Sequence, residues 1–287
     1  MRMDDSRESD NIEDRRSAGP RIVGRGTIGI GTIVLALVAM YFGVDPSVVL
    51  NLAAGGGQPA PQQQSVPAGK PTGSDPTEHF VARVLGETED TWSAIFQQQF
   101  HRQYSAPTLV LFRGATPTAC GTGQAAMGPF YCPGDSKVYL DMGFFDDMSR
   151  QLNAPGDFAR AYVIAHEVGH HVQHLLGITD QVDAARQRSP GQANALSVRV
   201  ELQADCYAGI WAQHANQTHH ILENGDIESG LNAANQIGDD TLQKRSQGYV
   251  VPDSFTHGSS AQRVRWFKRG FESGDLRQCD TFGASQL

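Results

Sequence analysis

Within residues 165–174, AHEVGHHVQH, two histidines stand four positions apart and an acid directly follows the first: His166, Glu167 and His170. Apolar Tyr162, Val163 and Val168 surround them, and the pattern predicts a packed helix over 157–176, ended by Gly177. Positions four apart lie one turn apart on the same helix face. Two imidazoles so placed can reach a single Zn²⁺ at about 2.0–2.1 Å each. Glu167 then neighbours the open position of the ion, where it can take a proton from water. The motif therefore demands a buried helix and a partner from elsewhere in the chain, since hydrolytic zinc sites use three protein ligands and keep a fourth position free.

The third ligand does not follow at the metzincin spacing, because the positions that would need Gly and His hold Gln173 and Leu176. Downstream, VELQADCYAG places Glu201 and Asp205 four apart on a second helix predicted over 193–215. One of these carboxylates can bind the ion while the other accepts the second ring N–H of a ligand histidine. Ala204 and Ala208 keep that helix slim enough for close approach. Two neutral imidazoles and one carboxylate would leave a zinc site with a net charge of about +1, which preserves Lewis acidity. The competing reading of Glu201 and Asp205 is an ordinary solvated helix face.

The rest of the chain frames these helices. A helical stripe of Phe80, Val84, Trp92, Ile95, Phe96 and Phe100 predicts a long helix over 77–103, and PTLVLFR and SKVYLDM read as short strands over 107–113 and 136–142. A final helix is expected over 259–272. The fold class expected is α+β, mainly α, with a small sheet. Among 287 residues the net charge is −8 with no basic run, which argues against nucleic acid as a partner.

The N-terminal quarter differs in composition. Residues 1–25 are polar and read as a disordered tail, and 26–44 contain no charged residue. That length is near the lower end of what spans a bilayer, and Arg15, Arg16, Arg21 and Arg25 precede it. The expectation is one transmembrane helix at 26–44 in a single-pass membrane protein, with a cytoplasmic N-terminus and an extracytoplasmic catalytic domain. It is preferred over a cleaved signal peptide or a buried core helix. Residues 45–76, rich in Gly, Pro and Gln, read as a linker, and 77–287 as the folded domain. Of the four cysteines, Cys120 with Cys132 would close a short loop and Cys206 with Cys279 would form the remaining pair; four buried thiols are the alternative.

HEVGHHVQH, ELQADCYAGIW and GPFYCPGDSKVYLD together resemble the putative neutral zinc metallopeptidases, a bacterial membrane-associated group. The Glu–x–x–x–Asp arrangement is also similar to that of the gluzincins. The resemblance implies a zincin-like domain with Zn²⁺ as cofactor and a protein or peptide as substrate. It further implies that Glu201 is the third ligand and Asp205 the acid that orients a histidine. By the same likeness, Lys137, Val138, Tyr139, Leu140 and Asp141 would form an edge strand that pairs with substrate. His257, in FTHGSSAQR, resembles a histidine able to hydrogen-bond the oxyanion of a tetrahedral intermediate; a loop histidine or a cap near Ser259 is the plain alternative. The function this points to is zinc-dependent endopeptidase. A cell-wall amide hydrolase and a non-catalytic binding or chaperone module are its rivals.

Overall fold

The computed structural model describes residues 1–16, 69, 71 and 73–287. Helix α1 spans Pro76–Ile95; the Asp75 side chain caps it by accepting from Thr77 N, and proline occupies its first turn. Its chain passes into a π-helical turn over Phe96–Phe100 and stops at His101, whose φ is 51°. The long helix expected over 77–103 is thus shortened by a change of hydrogen-bond register. Strands β2 (Thr108–Phe112), β3 (Ala115–Thr118), β4 (Gly121–Gln124), β5 (Phe130–Cys132) and β6 (Lys137–Asp141) follow. Helices α2 (Phe144–Arg150), α3 (Asp157–Leu175), α4 (Ile178–Arg188), α5 (Ala193–His219), α6 (Asp226–Gln236), α7 (Asp239–Gln247) and α8 (Ser260–Ser273) complete the domain. The fold is mainly helical α+β, as expected.

Four strands were not expected: β3, β4 and β5, which lie between the two that were, and one at the N-terminus. Ile12–Asp14 form β1, and the sheet order is β1-β2-β6-β5, with β1, β2 and β6 parallel and β5 antiparallel. Alternation sends Leu109, Leu111, Val138 and Leu140 to the helical core, and Val110, Phe112 and Tyr139 to a smaller cluster on the opposite face. There Phe130 stacks on Tyr139. The main core lies between the sheet and helices α1, α3, α5 and α8, around Trp92, Phe158, Tyr162, Trp211, Trp266 and Phe267. Gly270 makes the α5–α8 contact possible, because a Cβ there would collide with the Cys206 carbonyl. A capping box of Ser259 and Gln262 starts α8, a feature worth about 0.5–2 kcal/mol. Both disulfides, Cys120–Cys132 and Cys206–Cys279, are formed.

The N-terminal segment corrects two expectations. Residues 1–16 are not a detached tail: the Met1 amino group contacts Glu223 and Asp226, Ser9 donates to Glu89, and Ile12 is buried beside Leu109. Arg16 reaches across to Asp75 and Glu78 at the start of α1. A single bilayer crossing between residue 16 and α1 would put these partners on opposite sides of a membrane. Residues 26–44 lie outside the described residues, and no helix among the described residues is long and apolar enough to cross a membrane. The single-pass arrangement with a cytoplasmic N-terminus and an extracytoplasmic domain is therefore overturned. Charge bias and hydropathy are local measures, and neither registers that the preceding residues complete a sheet.

Two outcomes follow from the docked segment. Ile12→Ala should cost about 2–5 kcal/mol of stability in urea denaturation; a detached tail would give no change. Glu13, buried between Arg15 and Lys137, has its carboxyl lowered: burial pushes it up, but the bonds from Arg15 and Lys137 outweigh that. Its contribution is fully present above the unfolded value of 4.5 and is lost as pH falls through the lower folded value. Protection of the amides of residues 109–111 against hydrogen exchange, taken relative to the intrinsic rate at each pH, should fall on acidification below that value in the parent, and less so in Glu13→Gln.

Candidate metal centre

Helix α3 carries His166, Glu167 and His170, and α5 carries Glu201 and Asp205. The two helices meet at Gly169, where an added Cβ would lie 3.0 Å from the Ala204 carbonyl oxygen and 3.2 Å from its Cα. A larger residue at 169 would push α5 outward and withdraw its acids. With glycine there, Glu201 Oε2 lies 3.1 Å from His166 Nε2 and Glu201 Oε1 lies 3.5 Å from His170 Nε2. One atom from each of the three residues falls within 4.8 Å of the others. Ligands held tetrahedrally at about 2.0–2.1 Å stand roughly 3.3–3.4 Å apart, so these separations suit a small cation. The donor set, two imidazole nitrogens and a carboxylate oxygen, is one that zinc accepts.

Charges around the set agree. Glu201 is held well below the usual carboxylate range: burial opposes this, and the charge of His170 with bonds from His166 and His170 overcomes it. Reciprocally, burial would lower His170, but Glu201 beside it raises it to about 9. The His170 ring therefore holds a proton where a cation could sit, and metal uptake must displace it. Glu167, 8% exposed, has no hydrogen-bond partner among the described residues, and burial raises its carboxyl pKa. When ionised, Glu167, Glu201 and Asp205 stand against the single guanidinium of Arg263. The two negative charges left over match a divalent cation.

Asp205 is fully buried and accepts from His166 Nδ1 at 2.9 Å, leaving Nε2 directed at Glu201. It also takes the Tyr162 hydroxyl and a two-point contact from Arg263, at 2.8 Å through both Nε and Nη2. Burial pushes its carboxyl up, and Arg263 pulls it down to about 2. Neither Tyr162 nor Arg263 was singled out from sequence; both look like ordinary core and surface residues until α8 is packed on α5. Gln173, likewise unmarked, accepts from His170 Nδ1 at 2.9 Å.

His257 stands on the loop before α8, its side chain half exposed, with Nδ1 3.1 Å from Asp239 Oδ1. Asp239 Oδ2 accepts the backbone N–H groups of Thr256, His257 and Gly258, so the loop is clamped to the start of α7. Burial lowers the His257 pKa, but the Asp239 bond and then the Glu201 charge raise it, which places the ring within electrostatic reach of the ligand set. His171 lies in the interior, bonded to the Ser105 carbonyl and the Tyr131 hydroxyl, and burial lowers it to about 4. The strand expected to pair with substrate is not an edge. Lys137–Asp141 pairs with β2 along its length and with β5 over Lys137–Tyr139, with Val138 and Leu140 in the core, Lys137 on Glu13, Tyr139 on Asp135, and Asp141 holding Gly114 N and Gly143 N. The sheet's outer strand beside α3 is β5, whose Tyr131 touches His171 and His174.

A helix pair that brings two histidines and a carboxylate together beside a free glutamate defines a candidate metallohydrolase centre. The chain belongs to the putative neutral zinc metallopeptidase family, whose sequence model matches residues 1–282. It is 52% identical to the uncharacterized protein YpfJ of Escherichia coli K12, across 99% of this chain and all of the relative. It is 38% identical to the uncharacterized proteins Mb2605 of Mycobacterium bovis and Rv2575 of Mycobacterium tuberculosis, across 87% of this chain and 86% of each relative. No solved structure matches. The family implies Zn²⁺, and the His166–His170–Glu201 cluster could hold it.

Removing Arg263 leaves Asp205 as an uncompensated buried charge. Arg263→Met should destabilise the domain by about 3–5 kcal/mol in chemical denaturation. A loss below about 1 kcal/mol would mean the pair is solvated.

Proposed function

We propose that this chain is a zinc-dependent endopeptidase, with His166, His170 and Glu201 as ligands and Glu167 as general base. The observation that carries this reading is the convergence of the three donor groups with Glu167 unpartnered beside them. His166, His170 and Glu201 would hold Zn²⁺, which would supply Lewis acidity towards a water and a carbonyl. Glu167 takes the proton from water and passes it to the leaving amine; burial raises its carboxyl pKa, which makes it a stronger base than an exposed glutamate. Asp205, kept ionised by Arg263, holds the proton on His166 Nδ1. His257, steadied by Asp239, is the group we assign to the developing oxyanion.

Substrate binding is assigned to β5 in place of β6. Its outer edge is unpaired among the described residues, and Tyr131 fixes it against α3. An extended peptide can add there through main-chain hydrogen bonds, a mode that favours unfolded protein over wall fragments.

The test is Glu167→Gln. Zinc content by elemental analysis should be unchanged, while hydrolysis of labelled casein should fall about 10²–10⁴-fold. Undiminished cleavage would remove Glu167 from the mechanism. Release of peptide from cell-wall fragments with casein untouched would move the substrate to the wall.

A further inference from the structure

We propose that Gln173 and Gln203 are positioning residues that fix which nitrogen of His170 carries the proton, through a polarised chain of hydrogen bonds ending on the Cys279 carbonyl. The proposal rests on the zinc reading above. His166 is oriented by the charged Asp205, but among the described residues His170 meets no acid at Nδ1; its partner there is Gln173 Oε1 at 2.9 Å. Which end of an amide faces a histidine is set by the amide's other contacts. Here those contacts form a sequence of one-way bonds.

The Cys279 carbonyl can only accept. At 3.0 Å from the Gln203 side chain, it requires Gln203 Nε2 at that end. Gln203 Oε1 then faces Gln173, whose Nε2 donates to it at 3.0 Å and to the Val200 carbonyl at 2.8 Å. Two acceptors therefore hold Gln173 Nε2, and its Oε1 is left for His170. An oxygen there requires Nδ1–H on the ring, so the proton that a metal displaces is the one on Nε2, the nitrogen beside Glu201. Both glutamines are buried, at 1% and 5% exposure, so water does not compete for these groups. Gln173 also grips the main chain of the residue before Glu201, tying the His170 turn to the third ligand's helix.

The far end of the chain is held covalently. Cys206 lies three positions beyond Gln203 and so on the same face of α5, and its disulfide to Cys279 pins the accepting carbonyl above Gln203. The C-terminal segment thereby has a role at the metal centre without touching it.

The experiment compares the full chain with Gln173→Leu, Gln203→Leu and the double variant. It reads zinc affinity by competition with a chromogenic chelator and ¹⁵N–¹H spectra of the histidine side chains in the zinc-loaded protein. Gln173→Leu should weaken zinc binding about 10–100-fold. Gln203→Leu, which touches no ligand, should give a smaller loss in the same direction and faster exchange of the His170 Nδ1 proton with water. The double variant should bind no more weakly than Gln173→Leu alone, since both act on one chain. Independent, additive losses, or a Gln203→Leu protein with parental affinity and an undisturbed Nδ1 proton, would overturn the relay. If Gln173→Leu does not fold, Gln203→Leu carries the comparison. A parent chain that takes up no zinc removes the zinc reading and the relay together, whereas a parent with one zinc and unchanged variants removes only the relay.

Discussion

Helices α3 and α5 touch backbone to backbone at Gly169 and Ala204, and the geometry of the site depends on that contact. Carboxylate side chains are short, and Glu201 can reach the Nε2 atoms of His166 and His170 only if the helix axes are close. The same approach lets Gln173 bond the Val200 carbonyl and brings Asp205 against His166. Small residues at one crossing thus set ligand spacing, histidine orientation and the burial of the charged groups together.

Burial creates an electrostatic demand that the rest of the fold answers. Asp205 inside a core would be costly alone, and its ionised form depends on Arg263 from α8 and on Tyr162 from α3. Arg263 can be there because α8 packs closely on α5 at Gly270 and starts at a well-capped Ser259. The Cys206–Cys279 disulfide then closes the C-terminal segment over the same helix. The last quarter of the chain serves the first metal helix from a distance in sequence.

Legibility varied with how local the cause was. The metal helix, the acidic helix, the strands at 108–112 and 137–141 and the small sheet could be read from periodicity, because hydrophobic spacing is a property of neighbouring residues. The N-terminal strand escaped because three residues, Ile12–Asp14, give no period, and their pairing partner lies almost a hundred positions away. The strand at Lys137–Asp141 was recognised as a strand but misplaced as an edge, since pairing on both sides depends on β2 and β5, and alternation is the same in either position. Asp239, Arg263, Gln173 and Gln203 carried no signal of their own; each is an ordinary polar residue until its partner is brought to it.

By itself, then, the chain's order of residues determined that His166 and His170 share a helix face with Glu167 between them, and that a second helix offers Glu201 and Asp205 at one-turn spacing. Those are consequences of helix pitch, which acts over four residues. Tertiary structure alone decided which acid faces both imidazoles, which holds the ring behind, which strand stands at the sheet's edge, and that residues 1–16 belong to the same folded body as residue 223. Those depend on distances between atoms far apart in sequence, and only packing sets such distances.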